Sequence, residues 1–248
     1  MRPVVENTTK SRASQILNLM SPELKERLSK ELLIIGVIGP TGAGKSTIMR
    51  MLSTVMLPTS GEATVLGMDI KKDEDKIRRR IGYMPQKFNL YGDLTVDENI
   101  EFFADIYDVS RKDLDAVREK TLEFTKLAPY RKRYARQLSG GMQKKLALAT
   151  VILHAPEILF LDEPTLGVDP LSRREFWRLL YGLKDVTIFV TTPYMDEAER
   201  CNRIGLIREG VLLTCDTPAQ IKVRTNEPTL EKAFINLIMC ARTPGCSE

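Results

Sequence analysis

Four short runs rich in Ile, Leu and Val recur along the chain, at 32–38, 158–161, 186–191 and 204–207. Each is apolar without alternation and too short for a helix, the pattern of strands buried on both faces of a parallel sheet. Helical spacing lies between them, so the pattern predicts an α/β protein with a mostly parallel sheet and helices on its faces. The stretch 87–155 holds no comparable strand. There Thr95 and Glu98 make a capping box ahead of Val96, Ile100, Phe103 and Tyr107 at helical spacing, and a second helix is expected behind a Ser110 cap. A helical subdomain over 87–155 is therefore predicted between two parts of a sheet-bearing core, 31–86 and 156–216, with a tail over 217–248. In 1–30, Ser21 and Pro22 predict the start of a solvated helix, SPELKERLSK, and no alternating strand pattern is seen. No short internal repeat is visible.

The chain has 248 residues, enough for one or two compact domains with a buried core. Its 37 Lys and Arg are interleaved with 33 Asp and Glu, as in KKDEDKIRRR at 71–80, for a formal net charge of +4. No continuous basic stripe results, so no nucleic-acid partner is expected. The run LLIIGVIG at 32–39 is far below the roughly 18 residues that cross a bilayer. The start MRPVVENTTKSRAS lacks the layout of a secretory signal, and the cysteines at 201, 215, 240 and 246 form no C-x-x-C pair, so reduced cytoplasmic thiols are expected. The one histidine, His154, reads as a surface or capping residue.

Candidate chemistry clusters in three places. Gly39, Pro40, Thr41, Gly42, Ala43, Gly44, Lys45 and Ser46 fit G-x-x-x-x-G-K-[ST], after an apolar strand and before a helical pattern from Thr47 to Leu52. The glycines let backbone N–H groups wrap phosphates at a helix N-terminus. Lys45 can neutralise β- and γ-phosphates, and Ser46 can ligate Mg²⁺. The run ILFLDE at 158–163 ends a strand in two carboxylates; alternation predicts Asp162 toward the metal and Glu163 toward an attacking water. The third element, LSGGMQ at 138–143, opens a helix that Ser139 can cap, while Gly140 and Gly141 leave its tip bare as a second anion site.

With a lone Gln86 after the strand-like stretch 81–84, LFLDEP, and GVDP at 167–170, these motifs closely resemble the ATP-binding cassette of ABC transporters over roughly 31–216. The resemblance implies a P-loop NTPase core, a mostly parallel sheet with an inserted helical subdomain, and an N-terminal antiparallel β part that here is reduced or atypical. It implies ATP and Mg²⁺ as cofactors. Two cassettes, identical or different, would pair head to tail. The phosphate loop of one, Gly39 to Thr47, and the Ser139, Gly140, Gly141 and Gln143 tip of the other would sandwich each ATP. Glu163, Gln86 and Lys45 would be catalytic, Ser46, Asp162 and Gln86 would hold the metal, and Asp169 would cross the dimer interface. The segment 87–94 would face a separate transmembrane permease subunit, placing the chain peripherally on the cytoplasmic face of the membrane. TTPYMDEAERC at 191–201 and TLEKAF at 229–234 look like the multidrug, sodium or polymer export branch.

Two positions depart from that family. Its histidine beyond the strand after the Asp-Glu pair, which contacts the γ-phosphate, is replaced by Pro193, which offers no side-chain hydrogen bond. Losing one preorganised donor costs roughly 3 to 4 kcal/mol of transition-state stabilisation, so slow hydrolysis with retained binding is expected. No Phe, Tyr or Trp occurs before Tyr83, whereas the family stacks adenine on an upstream aromatic. Without a substitute, affinity is expected to fall by about 1 to 3 kcal/mol. The alternatives to an exporter motor are a regulatory cassette that binds ATP but hydrolyses it poorly, and a soluble ABC-type ATPase without a membrane partner. The second is disfavoured by the absence of a second cassette or a basic face. A GTPase is disfavoured because no N-K-x-D-like guanine reader is present.

Overall fold

The computed structural model describes residues 33–87 and 90–240. Its centre is a six-stranded sheet in the order β4-β5-β6-β1-β7-β8. The strands are β1 (Leu33–Ile38), β4 (Ile81–Met84), β5 (Ile158–Asp162), β6 (Thr187–Thr192), β7 (Arg203–Arg208) and β8 (Val211–Asp216). All neighbours run parallel except β7 and β8, which form an antiparallel edge. The apolar runs become strands because successive side chains fill two different cores. From β1, Ile34 and Ile38 join Leu159, Leu161, Val190, Phe176 and Trp177 on one face. Leu33, Ile35 and Val37 join Phe160, Phe189, Ile48 and Met49 on the other.

The second of these faces is covered by α1 (Lys45–Leu52), α2 (Glu74–Arg78) and a two-stranded hairpin, β2 (Thr64–Val65) with β3 (Met68–Asp69). Its turn puts Leu66 and Gly67 both at positive φ. The other face takes α6 (Pro170–Gly182), α7 (Met195–Ala198), α8 (Pro218–Thr225) and α9 (Leu230–Cys240). The hairpin, β8, α8 and α9 lie in stretches whose pattern gave no such expectation.

Between β4 and β5 the chain forms α3 (Val96–Ile106), α4 (Leu114–Thr125) and α5 (Gly140–Ile152) around a third apolar cluster that includes Val96, Ile100, Leu122 and Leu146. The Thr95–Glu98 capping box is present in both directions. The expected Ser110 cap is not. Helix α4 begins later, and Ser110 instead closes the turn before it, its hydroxyl taking the Lys112 N–H at 3.3 Å and its carbonyl the Leu114 N–H at 2.9 Å. His154 is also not a surface residue. Its ring is half-buried and stacked on Tyr107 at 4.0 Å, and its Nε2 lies 2.9 Å from the Ile81 carbonyl, fastening the helical group to the sheet. Residues 1–32, with the expected SPELKERLSK helix and the atypical N-terminal part, lie outside the described residues.

Candidate functional site: a glycine cradle beside a paired carboxylate

The cradle forms where β1 hands over to α1. Gly42 and Gly44 have φ of 80° and 103°, which L side chains rarely adopt, and a Cβ at Gly42 would meet nothing within 4 Å. Gly42 therefore faces open space rather than packed side chains, on a loop that leads into a helix N-terminus, where anions are favoured. From behind, Gly210 N–H donates to the Ala43 carbonyl at 3.0 Å. A Cβ at Gly39 would come 2.1 Å from the Ile207 carbonyl, so only glycine fits there. Pro40, Thr41 and Thr47 are exposed around the rim, Ala43 is buried under it, and Ser46 is half-buried one residue into α1.

Lys45 is buried, at 5% exposure. Its Nζ donates to the Gly39 carbonyl at 2.9 Å and the Pro40 carbonyl at 3.1 Å, and lies 3.2 Å from Glu163 Oε1. The other Glu163 oxygen accepts from Gln86 Nε2 at 2.8 Å. Strand alternation does not orient this carboxylate as expected. β5 ends at Asp162, and Glu163 turns into the left-handed region at φ 47°. Thr191 holds that turn: its hydroxyl donates to Asp162 Oδ1 at 2.7 Å and accepts the Glu163 N–H at 2.9 Å. Asp162 thus remains on the strand's own side while Glu163 is delivered to the cradle's lip. Ser46, Asp162 and Gln86 carry hard oxygen donors of the kind that suits Mg²⁺, and a glycine loop with a lysine at a helix N-terminus is the chemistry that suits a triphosphate.

The glycine-led helix is a separate place. Ser139 caps α5, taking the Met142 N–H at 3.3 Å, and Gly140 is exposed at the tip. Gly141 faces inward, where a Cβ would come 2.5 Å from Ser172 Oγ. The Gln143 side chain, expected to face a nucleotide, is turned into its own subunit instead: Nε2 donates to the carbonyls of Ala135 at 3.2 Å and Leu138 at 3.3 Å and braces the loop before the helix. Among the described residues no hydrogen bond joins this tip to the cradle. Asp169 caps α6 through the Leu171 and Ser172 N–H groups, and its hydrogen bonds to Ser172 hold its carboxyl below the usual range.

Four residues of this region escaped the motif reading. Besides Thr191 they are Lys144, Thr165 and Glu197. Lys144 Nζ donates to the Gln86 carbonyl at 3.3 Å, linking α5 to the residue that holds Glu163, and burial lowers its ammonium pKa. The adjacent Lys145 pairs with Glu175 of α6. A basic pair inside a helix carries no local signal for either partner.

A glycine cradle opening a helix, a buried lysine within it, and a parallel strand ending in Asp-Glu beside it define a P-loop nucleotide-binding protein. The family model described as ABC transporter matches residues 29–166, more than half of the chain. The chain therefore belongs to the ABC transporter family. It is 46% identical over 212 residues to the probable multidrug ABC transporter ATP-binding protein YbhF of Escherichia coli (strain K12), a match covering 83% of this chain and 37% of that protein. Over 178 residues it is 41% identical to the Nod factor export ATP-binding protein I of Rhizobium meliloti (strain 1021), covering 71% of this chain and 53% of that protein. The chain thus spans roughly a third to a half of these relatives. Among solved structures, an ATP-binding cassette in a dimeric post-hydrolysis state bound to ADP and Pi superposes with a TM-score of 0.67 at 28% identity, over 76% of this chain and 86% of that one. An ATP-binding subunit of an ABC transporter, 24% identical, shares the fold with a TM-score of 0.73 over 84% of this chain and 89% of that one.

Proposed function

We propose that the chain is an ATP-binding and ATP-hydrolysing subunit that powers a membrane exporter by closing a pair of cassettes on Mg²⁺-ATP. The observation that carries this reading is Glu163, a buried carboxylate at a strand end with one oxygen 3.2 Å from the cradle lysine and the other 2.8 Å from Gln86. In this reading the backbone of 39–47 wraps the phosphates, Lys45 turns from the Gly39 and Pro40 carbonyls to the β- and γ-phosphates, and Ser46, Asp162 and Gln86 hold Mg²⁺. Glu163 accepts the proton of the attacking water. The tip of a second cassette, identical or different, closes the site with Ser139, Gly140 and the backbone of Gly141, and Asp169 lies at the seam. Gln143 acts from behind, by holding that tip in shape.

The partner is a separate transmembrane permease subunit, with the chain peripheral on the cytoplasmic face. No described helix is long and apolar enough to cross a membrane. In this reading the segment 87–94 faces the permease. The export-related names of the relatives support this branch. No nucleic-acid partner is proposed.

Steady-state ATPase measurement tests the reading. Glu163→Gln should lower turnover by about 10² to 10⁴-fold while leaving nucleotide binding in place. Pro193→His should raise it, by up to roughly 10²-fold if the restored donor reaches the γ-phosphate. Wild-type turnover no greater than that of Glu163→Gln, with the permease supplied, would sink the motor assignment.

A further inference from the structure

We propose that Glu197 is a positioning residue for this hydrolysis, clamping together the two loops that flank Glu163. Glu197 lies in the single turn of α7 and is fully buried, at 0% exposure. A carboxylate in that setting needs a donor on each oxygen, and the two donors come from different loops. Thr165, two residues beyond Glu163, donates its hydroxyl to Oε1 at 2.7 Å. Thr192, the last residue of β6 and the neighbour of Pro193, donates to Oε2 at 2.6 Å.

Both threonines are themselves structural nodes. The Thr192 hydroxyl accepts the Tyr194 N–H at 3.0 Å, so its proton is directed at Glu197, and the turn around Pro193 is closed by a side chain. Proline has no N–H to do this itself. The Thr165 carbonyl accepts the Val168 N–H at 3.2 Å, and the Glu163 carbonyl accepts the Leu166 N–H at 3.2 Å, so the loop leading from Glu163 to Asp169 hangs on Thr165. Arg173 closes the outer side. Its guanidinium lies 4.6 Å above the Tyr194 ring, with Nε 3.9 Å from Glu197 Oε1 and Nη2 3.5 Å from Asp196. Glu163 is thereby supported twice over, through Thr191 and Thr192 on one side and through Thr165 on the other. A residue held in the left-handed region depends on such tertiary support. Where a histidine would brace the loop after β6 against the γ-phosphate, this chain has Pro193, and the buried clamp is the brace that remains.

The inference rests on the hydrolysis reading above, and its test separates the two. Turnover per bound Mg²⁺-ATP would be measured on the full chain for wild type, Glu197→Ala, Glu197→Gln, Thr165→Val and Thr192→Val, with Glu163→Gln as the background. Glu197→Ala should lower kcat per bound nucleotide by about 10 to 100-fold, the usual range for a group that orients a reacting one. The Mg²⁺-ATP dissociation constant should stay within about threefold of wild type, because the cradle is untouched. Glu197→Gln should restore most of the rate, since its amide oxygen can accept from Thr192 while its N–H₂ donates to the Thr165 oxygen. The isosteric Thr165→Val and Thr192→Val should each fall between the two, and they keep the question open to refutation if the alanine variant does not fold.

An alanine variant with wild-type turnover would overturn the inference alone. So would a loss of turnover matched by an equal loss of nucleotide-binding sites, which would make the residue merely structural, or a glutamine variant as slow as alanine. A wild type no faster than Glu163→Gln would overturn the hydrolysis reading and the clamp with it.

Discussion

A single hydroxyl, that of Thr191, donates to the Asp162 carboxylate and accepts the Glu163 backbone N–H at the end of β5, and its removal exposes how the pair is held. Thr191→Val keeps the volume but strips a donor from Asp162, which is 1% exposed, and leaves the Glu163 N–H only the Thr191 carbonyl at 3.1 Å. The expected loss is about 1 to 3 kcal/mol of stability, read by chemical denaturation. His154 gives a second residue-scale test. Burial lowers its pKa below 6.5, and with Nε2–H donating to the Ile81 carbonyl, the acceptor nitrogen Nδ1 is buried without a partner among the described residues. The folded state therefore disfavours the proton relative to the unfolded chain. The stabilisation is fully present above the unfolded pKa of about 6.5 and is lost as pH falls through the lower folded value. Because this is the chain's one histidine, melting temperatures recorded between about pH 7.5 and pH 5.5 should fall for wild type and fall less for His154→Phe, which keeps the stack on Tyr107.

At the scale of elements, the tip of α5 separates two glycines that the motif presents as equivalent. A Cβ at Gly141 would run into Ser172, so Gly141→Ala should push α5 from α6 and cost about 1 to 3 kcal/mol in a thermal or denaturant melt. Gly140 has nothing within 4 Å, and Gly140→Ala should leave the melt unchanged while obstructing whatever approaches the tip. The same contrast explains what could be read in advance. The central strands, the Thr95 box, the Ser139 cap and the cradle were legible because backbone chemistry demands particular residue types at fixed spacings. The β2–β3 hairpin and β8 were not, because a two-residue strand is too short to show a period and β8, VLLTCD, is only half-buried. Glu163's left-handed turn, the Lys144 contact and the Glu197 clamp depend on residues brought together from distant segments. Ser110 closes a turn for a related reason: a good capping residue marks a chain reversal as readily as a helix start.

For the whole molecule, the proposed closure makes the second cassette part of the site. In the Glu163→Gln background, Mg²⁺-ATP should convert monomer to dimer by light scattering, and Ser139→Glu, which puts a charge at the tip where phosphate would arrive, should abolish that conversion without loss of binding to the monomer's cradle. Cys201 should resist thiol reagents in either state, since burial pushes its pKa up to about 12.

The hairpin joining β7 to β8 extends this view to the rear of the sheet. Glu209 and Gly210 turn at φ 50° and 74°, and the Gly210 amide is the one that meets the Ala43 carbonyl. The preceding residue, Arg208, reaches the Ile238 carbonyl of α9 at 3.3 Å. The glycine cradle is therefore propped by the same hairpin that ties down α9. A disturbance of α9 would reach the glycine cradle in two steps, through Arg208 and Gly210, without passing any side chain proposed to be catalytic.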